Sequence, residues 1–378
     1  MKNVRLKDIA IINPKNNEDF ENEFYYIDLG CVKNGKADFG EKINNLGKPS
    51  RAQRILNDND ILFQTVRPYQ RNNLLYKKVN NNQVVCSTGY AQLRTYQNVD
   101  YNYLYQLLST DKFNFLVSLR CTGTNYPAIN SNDLADIQIG FHTEITKQKQ
   151  IGNLLSTMDK LIEDKEQLVK ELKSKFDYYI SYLTGDIESN TKFKYIQLGD
   201  IVKNVSSKSI IENEYPLLTS SKSGIYLQND YFNGDIVTKT NIGNKIIKKG
   251  QMTYRSMSDT GTFTFNVLSD IEIGLVSPAY PVMEIIEYDP KLIGLLMNNS
   301  MYFKKQILSS NEGSTRTALP YSRLKDFKIK IHEDIDRQQK YFELVSSMDK
   351  IIDLHKQELE QLKLKKKYYL NKIFDKKR

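Results

Sequence analysis

The chain has 378 residues, 40% of them apolar and 26% charged, with a formal net charge of +9. That composition describes a folded, soluble, basic protein and excludes a disordered or collagen-like chain; its length suffices for two ordinary domains with connecting helices. No run approaches the roughly 18 apolar residues of a membrane span, the first residues, MKNVRLKDIAIINPKNN, contain no apolar signal core, and Cys31, Cys86 and Cys121 are scattered as free thiols of a reducing compartment would be. The expected location is cytoplasmic, with no membrane partner.

In chain order, residues 4–143 mix strand-like runs (YYIDLG, DILFQTV, QVVCST, AQLRTY) with one helical run at 101–119. A polar loop, CTGTNYPAIN, and a short strand, ADIQIGF, lead into a long periodic segment. From Ile151 its apolar positions are 151, 155, 158, 162, 169, 172, 176, 179 and 183, a seam of alternating fours and threes that only Lys165 interrupts. At 1.5 Å per residue, a helix of this extent is ~60 Å long. Residues 195–332 then repeat the order: strand-like runs (YPLLTS, GQMTYRS, GLVSPAYPVMEII), one helical run at 290–308, a polar loop, NEGSTRTALP, and a short strand, KDFKIKI. A second periodic segment follows, with Tyr341, Val345, Met348, Ile352, Leu359, Leu362, Tyr369 and Ile373 on its seam.

The two long segments are copies. Leu154, Ser156, Met158, Asp159, Lys160, Gln167, Leu172, Lys173, Lys175, Tyr178 and Tyr179 each recur as the same residue 190 positions later, without a gap. The repeat extends upstream through Gly123, Ala128, Leu134 and Asp136 to Gly313, Ala318, Leu324 and Asp326. No convincing match joins 30–95 to 217–283. The fold class is therefore α+β: two globules in a pseudo-twofold arrangement, separated by two long antiparallel coiled-coil helices. The expected partition is 1–143, 144–186, 187–332 and 333–378.

A helix of this length needs a partner, and its own repeat is the obvious one. Leu154, Leu161 and Leu168 widen the first stripe beyond a two-helix seam, as Leu344, Ile351, Leu354 and Leu364 widen the second, which suggests further helices from another subunit. The plain alternative is a solvated helical hairpin with some apolar excess. Lys165 and His355 are equivalent under the repeat and lie near mid-seam, where a polar residue fixes register; a pH switch at His355 is the other reading.

Basic and aromatic residues gather in the divergent centres. The first centre offers Arg51, Arg54, Arg67, Tyr69 and Arg71, with Thr124 and Asn125 in the following loop; the second offers Lys222, Tyr254 and Arg255, with Thr315 and Arg316 in its loop. Arginine forks match guanine edges and phosphates, and tyrosine can stack. The same residues also occur in solvated loops. Catalytic signatures are missing: GxxxxGK[ST], NPP[YF], a PD…ExK cluster, HExxH and GxSxG are all absent, and no Cys or His cluster has zinc spacing. A binding protein without a metal or cofactor, acting through partners, is the expectation.

The junctions GTNYPAINSNDLADIQIGFHTEITKQKQI and GSTRTALPYSRLKDFKIKIHEDIDRQQKY, in the order globule, helix, globule, helix, resemble the specificity subunits of type I restriction–modification systems across essentially the whole chain. KPSRAQRILNDNDILFQTVRPYQR and YFNGDIVTKTNIG…GLVSPAYPV resemble two styles of target recognition domain. The resemblance implies that each globule reads one half of a split, asymmetric site in double-stranded DNA. It implies that the helices act as a ruler and dock two adenine methyltransferase subunits, that restriction (translocase) subunits join for cleavage, and that the chain itself is not catalytic. His142 and His332 stand where this family commonly has proline, which predicts an altered bend there. The alternative function is a duplicated coiled-coil scaffold that binds protein and no DNA.

Overall fold

A computed structural model describes residues 1–78, 81–187, 192–232, 241–310 and 317–374. Its contacts fall into two compact units, Met1–Leu168 with His355–Arg378, and Val169–Leu354. Each of the two long helices, Ile145–Leu183 and Ile335–Phe374, contributes residues to both units.

In the first unit the strands Ala10–Ile12, Tyr90–Thr95, Ile61–Gln64 and Leu74–Leu75 form an antiparallel sheet in that order. Ile61 and Phe63 join the core beneath the helices, while Leu62 joins a separate cluster with Ile27, Val32 and Cys86. Side chains alternate across a strand, so an unbroken run such as ILF marks a strand with a core on each face. A second four-stranded sheet carries Lys42–Asn44, Glu23–Ile27, Val84–Ser87 and Ala52–Ile55, with one parallel pair. The chain's first strand, Lys2–Arg5, pairs with Gln138–Phe141, the strand that leads into the first long helix.

The second unit repeats this frame. Phe193–Gln197 pairs with Lys328–His332, and Val202–Val205, Val282–Ile285 and Met252–Thr253 lie in the same order as their counterparts in the first unit. Val66 bridges Ala128, and Met257 pairs with Ala318, the repeat partner of Ala128. The divergent centres thus share a sheet that their sequences do not display. Each expected helical run is in fact two helices. Tyr101–Leu108 and Asp111–Ser118 are separated at Thr110, whose hydroxyl accepts from Phe113 N; Pro290–Asn299 and Met301–Ser309 are separated at Ser300, which caps Phe303 N in the same way.

The glutamine of the first junction's ITKQ segment has a structural role. Gln148 is fully buried in the first turn of its helix; its amide donates to His142 O (2.8 Å) and accepts from Asp100 N (2.8 Å). Asp100 in turn caps Tyr103 N, so one side chain ties strand end, long helix and preceding helix together. A turn further on, Gly152 lets the backbones meet: a Cβ there would lie 2.6 Å from Asp100 Oδ1 and 2.8 Å from Tyr103 N. Gly152→Ala, a change that favours helix by up to ~1 kcal/mol in isolation, is therefore expected to destabilise the first unit by about 1–3 kcal/mol through overpacking. A urea titration reads the sign directly.

Within each unit the long helices pack antiparallel along the seam. In the first, Ile151, Leu155 and Met158 share a core with Tyr369, Leu370, Ile373 and Phe374. Lys366 pairs with Asp159, and Lys363 with Glu166 at 3.1 Å. In the second, Tyr179, Ile180 and Leu183 share a core with Tyr341, Phe342 and Val345. Lys165 Nζ lies 3.0 Å from His355 Nδ1, at the place where an antiparallel pair of repeats brings equivalent residues together. Glu358 binds both, and these hydrogen bonds, that of Lys165 foremost, hold its carboxyl below the ordinary glutamate range. No helix among the described residues is long and apolar enough to cross a membrane.

Candidate nucleic-acid interface

In the first unit, two turns meet beside the central sheet. After the strand Ile61–Gln64 the chain passes through Arg67 in the left-handed region (φ 54°), a short turn at Pro68–Gln70, and Arg71, again left-handed (φ 54°). The loop after the second short helix closes on itself through paired Thr122–Ala128 hydrogen bonds of 2.9 Å, helped by Gly123 at φ +91°. Arg67 N donates to Pro127 O at 2.7 Å, which locks the two turns together. Thr124, Asn125 and Tyr126 are exposed at the loop tip, and the Arg67 guanidinium lies over the Tyr126 ring, 4.2 Å from its centroid. Arg51, Gln64, Arg67, Gln70 and Tyr126 line an open cavity of about 500 Å³.

The other sequence candidates of this unit separate by environment. Tyr69 is exposed. Arg71 is engaged by Asp111 at 2.7 Å. Arg54 is half-buried and donates to Tyr90 O (2.5 Å) and Ser87 O (3.4 Å), and burial draws its pKa down. Its Nη1 holds two sheet carbonyls.

In the second unit, Lys222 is exposed at the turn of the hairpin Leu218–Ser221/Gly224–Leu227, and Arg255 is exposed just after the central strand. Leu319 N donates to Ser256 O at 2.8 Å, so Ala318 and Leu319 lie beside the chain that follows Arg255. Tyr254 is a correction. It is fully buried, its hydroxyl donates to Leu319 O (2.8 Å), its ring packs on Phe265 (4.7 Å between centroids), and burial pushes its phenol pKa up. Tyr254, directly after the strand Met252–Thr253, is turned into the core, whereas Arg255 is exposed. Thr315 and Arg316 lie outside the described residues.

Sequence reasoning missed Gln64, Gln70 and Tyr126. Tyr126 was legible only as an aromatic residue inside a polar loop; the two glutamines carried no signal before the turn was known. On the helices, Leu154, Leu161, Leu168, Ile351 and Leu354 are exposed beside the buried seam, and Leu344 is half-buried.

The family described as "Type I restriction modification DNA specificity domain" matches residues 1–174 and again 190–364. The chain belongs to that family and is a DNA specificity subunit of a type I restriction–modification system. Among individual proteins, it is 24% identical to the type I restriction enzyme MjaVIII specificity subunit of Methanocaldococcus jannaschii, over 94% of this chain and 86% of the relative. Its fold is similar to that of a type I restriction–modification S subunit from M. genitalium, with a TM-score of 0.63, 15% identity, and coverage of 99% of this chain and 96% of that one. It is also similar, with a TM-score of 0.50, 16% identity and coverage of 98% and 96%, to a chain from a structure concerned with complex assembly and conformational transition of a type I system.

Proposed function

We propose that the chain reads a bipartite DNA site, one half per globule, and carries the methyltransferase subunits that modify it. Residues 1–143 and 187–332 are the recognition domains in this reading, and 144–186 and 333–378 the spacers that set the distance between half-sites. Thr124, Asn125, Arg51 and Arg67 face DNA from the first domain, and Lys222 and Arg255 from the second. The observation that carries the reading is repeated: in the first unit Arg51 and Arg67 share a cavity with Tyr126 of the loop that is bonded beyond the central strand, and in the second Arg255 is exposed just before Ser256 and Met257, which bond to Leu319 and Ala318. Two methyltransferase subunits dock on the exposed apolar flank of the helices, and restriction subunits join that complex for cleavage. The chain supplies no catalytic group of its own.

Reconstitution tests this. The chain is mixed with a plasmid carrying the motif and a radiolabelled methyl donor, with and without its cognate methyltransferase subunit. Methyl transfer is expected only in the mixture, one adenine per strand of the bipartite motif. Transfer by this chain alone overturns the non-catalytic assignment, and methylation by the mixture without sequence preference overturns the specificity role.

A further inference from the structure

The described arginines of the first unit divide cleanly by what their side chains touch. Arg5 meets Asp136, Arg54 the carbonyls of Ser87 and Tyr90, Arg71 Asp111, Arg94 Asp60, and Arg120 the carbonyl of Leu116. Arg51 and Arg67 have no oxygen partner among the described residues, and both line the same cavity of about 500 Å³. The Nε of Arg67 is buried and unsatisfied. A buried donor without a partner is costly and calls for an explanation.

The rest of the cavity shows what is left open. Gln64 is fully used: its amide nitrogen donates to Val66 O (2.8 Å) and to Gln70 Oε1 (2.8 Å), and its own Oε1 accepts from Asn72 N (3.1 Å). The bond from Gln64 engages Gln70 Oε1, and the Gln70 amide hydrogens have no partner among the described residues. No carboxylate lines the cavity. Apart from the Tyr126 hydroxyl, the open polar side-chain groups are donors. Such a lining suits a partner that shows two acceptors and no donor. Guanine offers that edge in the major groove, through O6 and N7, whereas adenine and cytosine each bring an amino donor.

We infer that Arg67 reads a guanine of the half-site taken by the first globule, with Tyr126 as the residue that positions it. The inference rests on the proposed DNA-reading function and adds which residue reads which base. A phosphate is the competing ligand for any arginine, but its oxygens accept from many directions, whereas a base edge needs two parallel bonds in one plane. Here the plane is set in advance. The ring of Tyr126 lies against the guanidinium, the loop carrying that ring is bonded to Arg67's own backbone, and the left-handed backbone of Arg67 is fixed between Val66 and Pro68. A guanidinium held in this way loses little freedom on binding, which favours discrimination over general adhesion.

The test uses the full chain reconstituted with its methyltransferase subunit on a plasmid library randomised across the target, read by methylation-sensitive sequencing. Wild-type protein is expected to return a bipartite motif with a required guanine in one half. Arg67→Ala and Arg67→Lys are expected to relax that one base pair, losing roughly 5- to 150-fold discrimination there, the range that a bidentate contact supplies. Every other position stays, and the intact remainder of the motif serves as the control for folding. Tyr126→Ala relaxes the same position and Tyr126→Phe restores it, a rescue that a merely structural loop residue would not give. In the wild-type complex, 7-deazaguanine at that position lowers methylation. A uniform fall in methylation with the motif unchanged makes Arg67 a phosphate contact and overturns the assignment. So does an unaltered motif at full activity, or loss of the whole half-site in both arginine variants. A wild-type complex that methylates without any motif overturns the DNA-reading function itself.

Discussion

Asp substituted at both Leu161 and Ile351 is expected to abolish assembly with methyltransferase subunits while leaving the isolated chain folded. Both side chains lie on the flank of a long helix, 50% and 43% exposed respectively, so the isolated chain loses little packing. Asp in a helix interior costs up to ~0.7 kcal/mol relative to the best helix formers, and two such changes are small beside a domain stability of roughly 5–15 kcal/mol. In a covered interface the balance reverses. An aliphatic side chain worth roughly 1.5–3 kcal/mol when buried is exchanged for a carboxylate that must be desolvated without a partner. Two such positions amount to several orders of magnitude in affinity. Co-elution with the methyltransferase subunit in gel filtration, beside a thermal melt of the chain alone, reads both halves of the expectation. Normal co-elution of the double variant would show that the helices are not the docking surface. A collapsed melt would show that the flank is already packed inside the chain.

The helices were legible because a heptad seam is a one-dimensional pattern and every residue in it is constrained by a neighbour three or four positions away. Even the polar interruption was informative: Lys165 and His355, matched by the repeat alone, bond to each other. The central sheets were not legible as copies. Strands as short as Met252–Thr253 are specified by backbone pairing and by apolar alternation, and many sequences satisfy both. Phe63 and Tyr254 fill corresponding inward positions, each two residues before the pair that bonds to Ala128 and Ile129 or to Ala318 and Leu319, yet they share only an aromatic ring. The same limit explains the misplacement of Tyr254. Its neighbours, Arg255 and a run of hydroxyl residues, look like an exposed loop, while its own side chain, directly after a strand, is turned into the core. Arg54 shows the converse: composition reveals a basic residue but not the carbonyls of Ser87 and Tyr90 that occupy it. The capping residues Thr110 and Ser300, which cut each expected helix in two, stood in the sequence as ordinary polar residues within apolar runs.

Removing the carboxylate of Asp60 is expected to destabilise the first unit by about 3 kcal/mol. Asp60 is almost wholly buried, 1% exposed, at the start of the central strand. Its oxygens accept from Arg94 Nε (2.9 Å) and Nη2 (2.8 Å), from Gln92 Nε2 (2.7 Å) and from the backbone N of Asn57 (2.7 Å). The bond to Asp60 is the main reason that the Arg94 pKa is raised. Asp60→Ala leaves the guanidinium, an amide and a backbone N–H short of their acceptor in one step. Breaking a buried pair from one side costs about 3–5 kcal/mol; Arg94 keeps some contact with water, its side chain being 25% exposed, so the lower end of that range applies. Asp60→Asn keeps the shape and one acceptor, so its loss is smaller. A double replacement, Asp60→Leu with Arg94→Leu, removes both charges together and recovers part of the loss. Because the second unit has its own core, amide exchange in Asp60→Ala is expected to rise in the strands around Ile61–Gln64 and Tyr90–Thr95 and to stay unchanged in Val282–Ile285. Urea titration of the three variants, with exchange followed by mass spectrometry, measures these effects; an Asp60→Ala midpoint equal to that of the parent chain would mean that the network contributes nothing net.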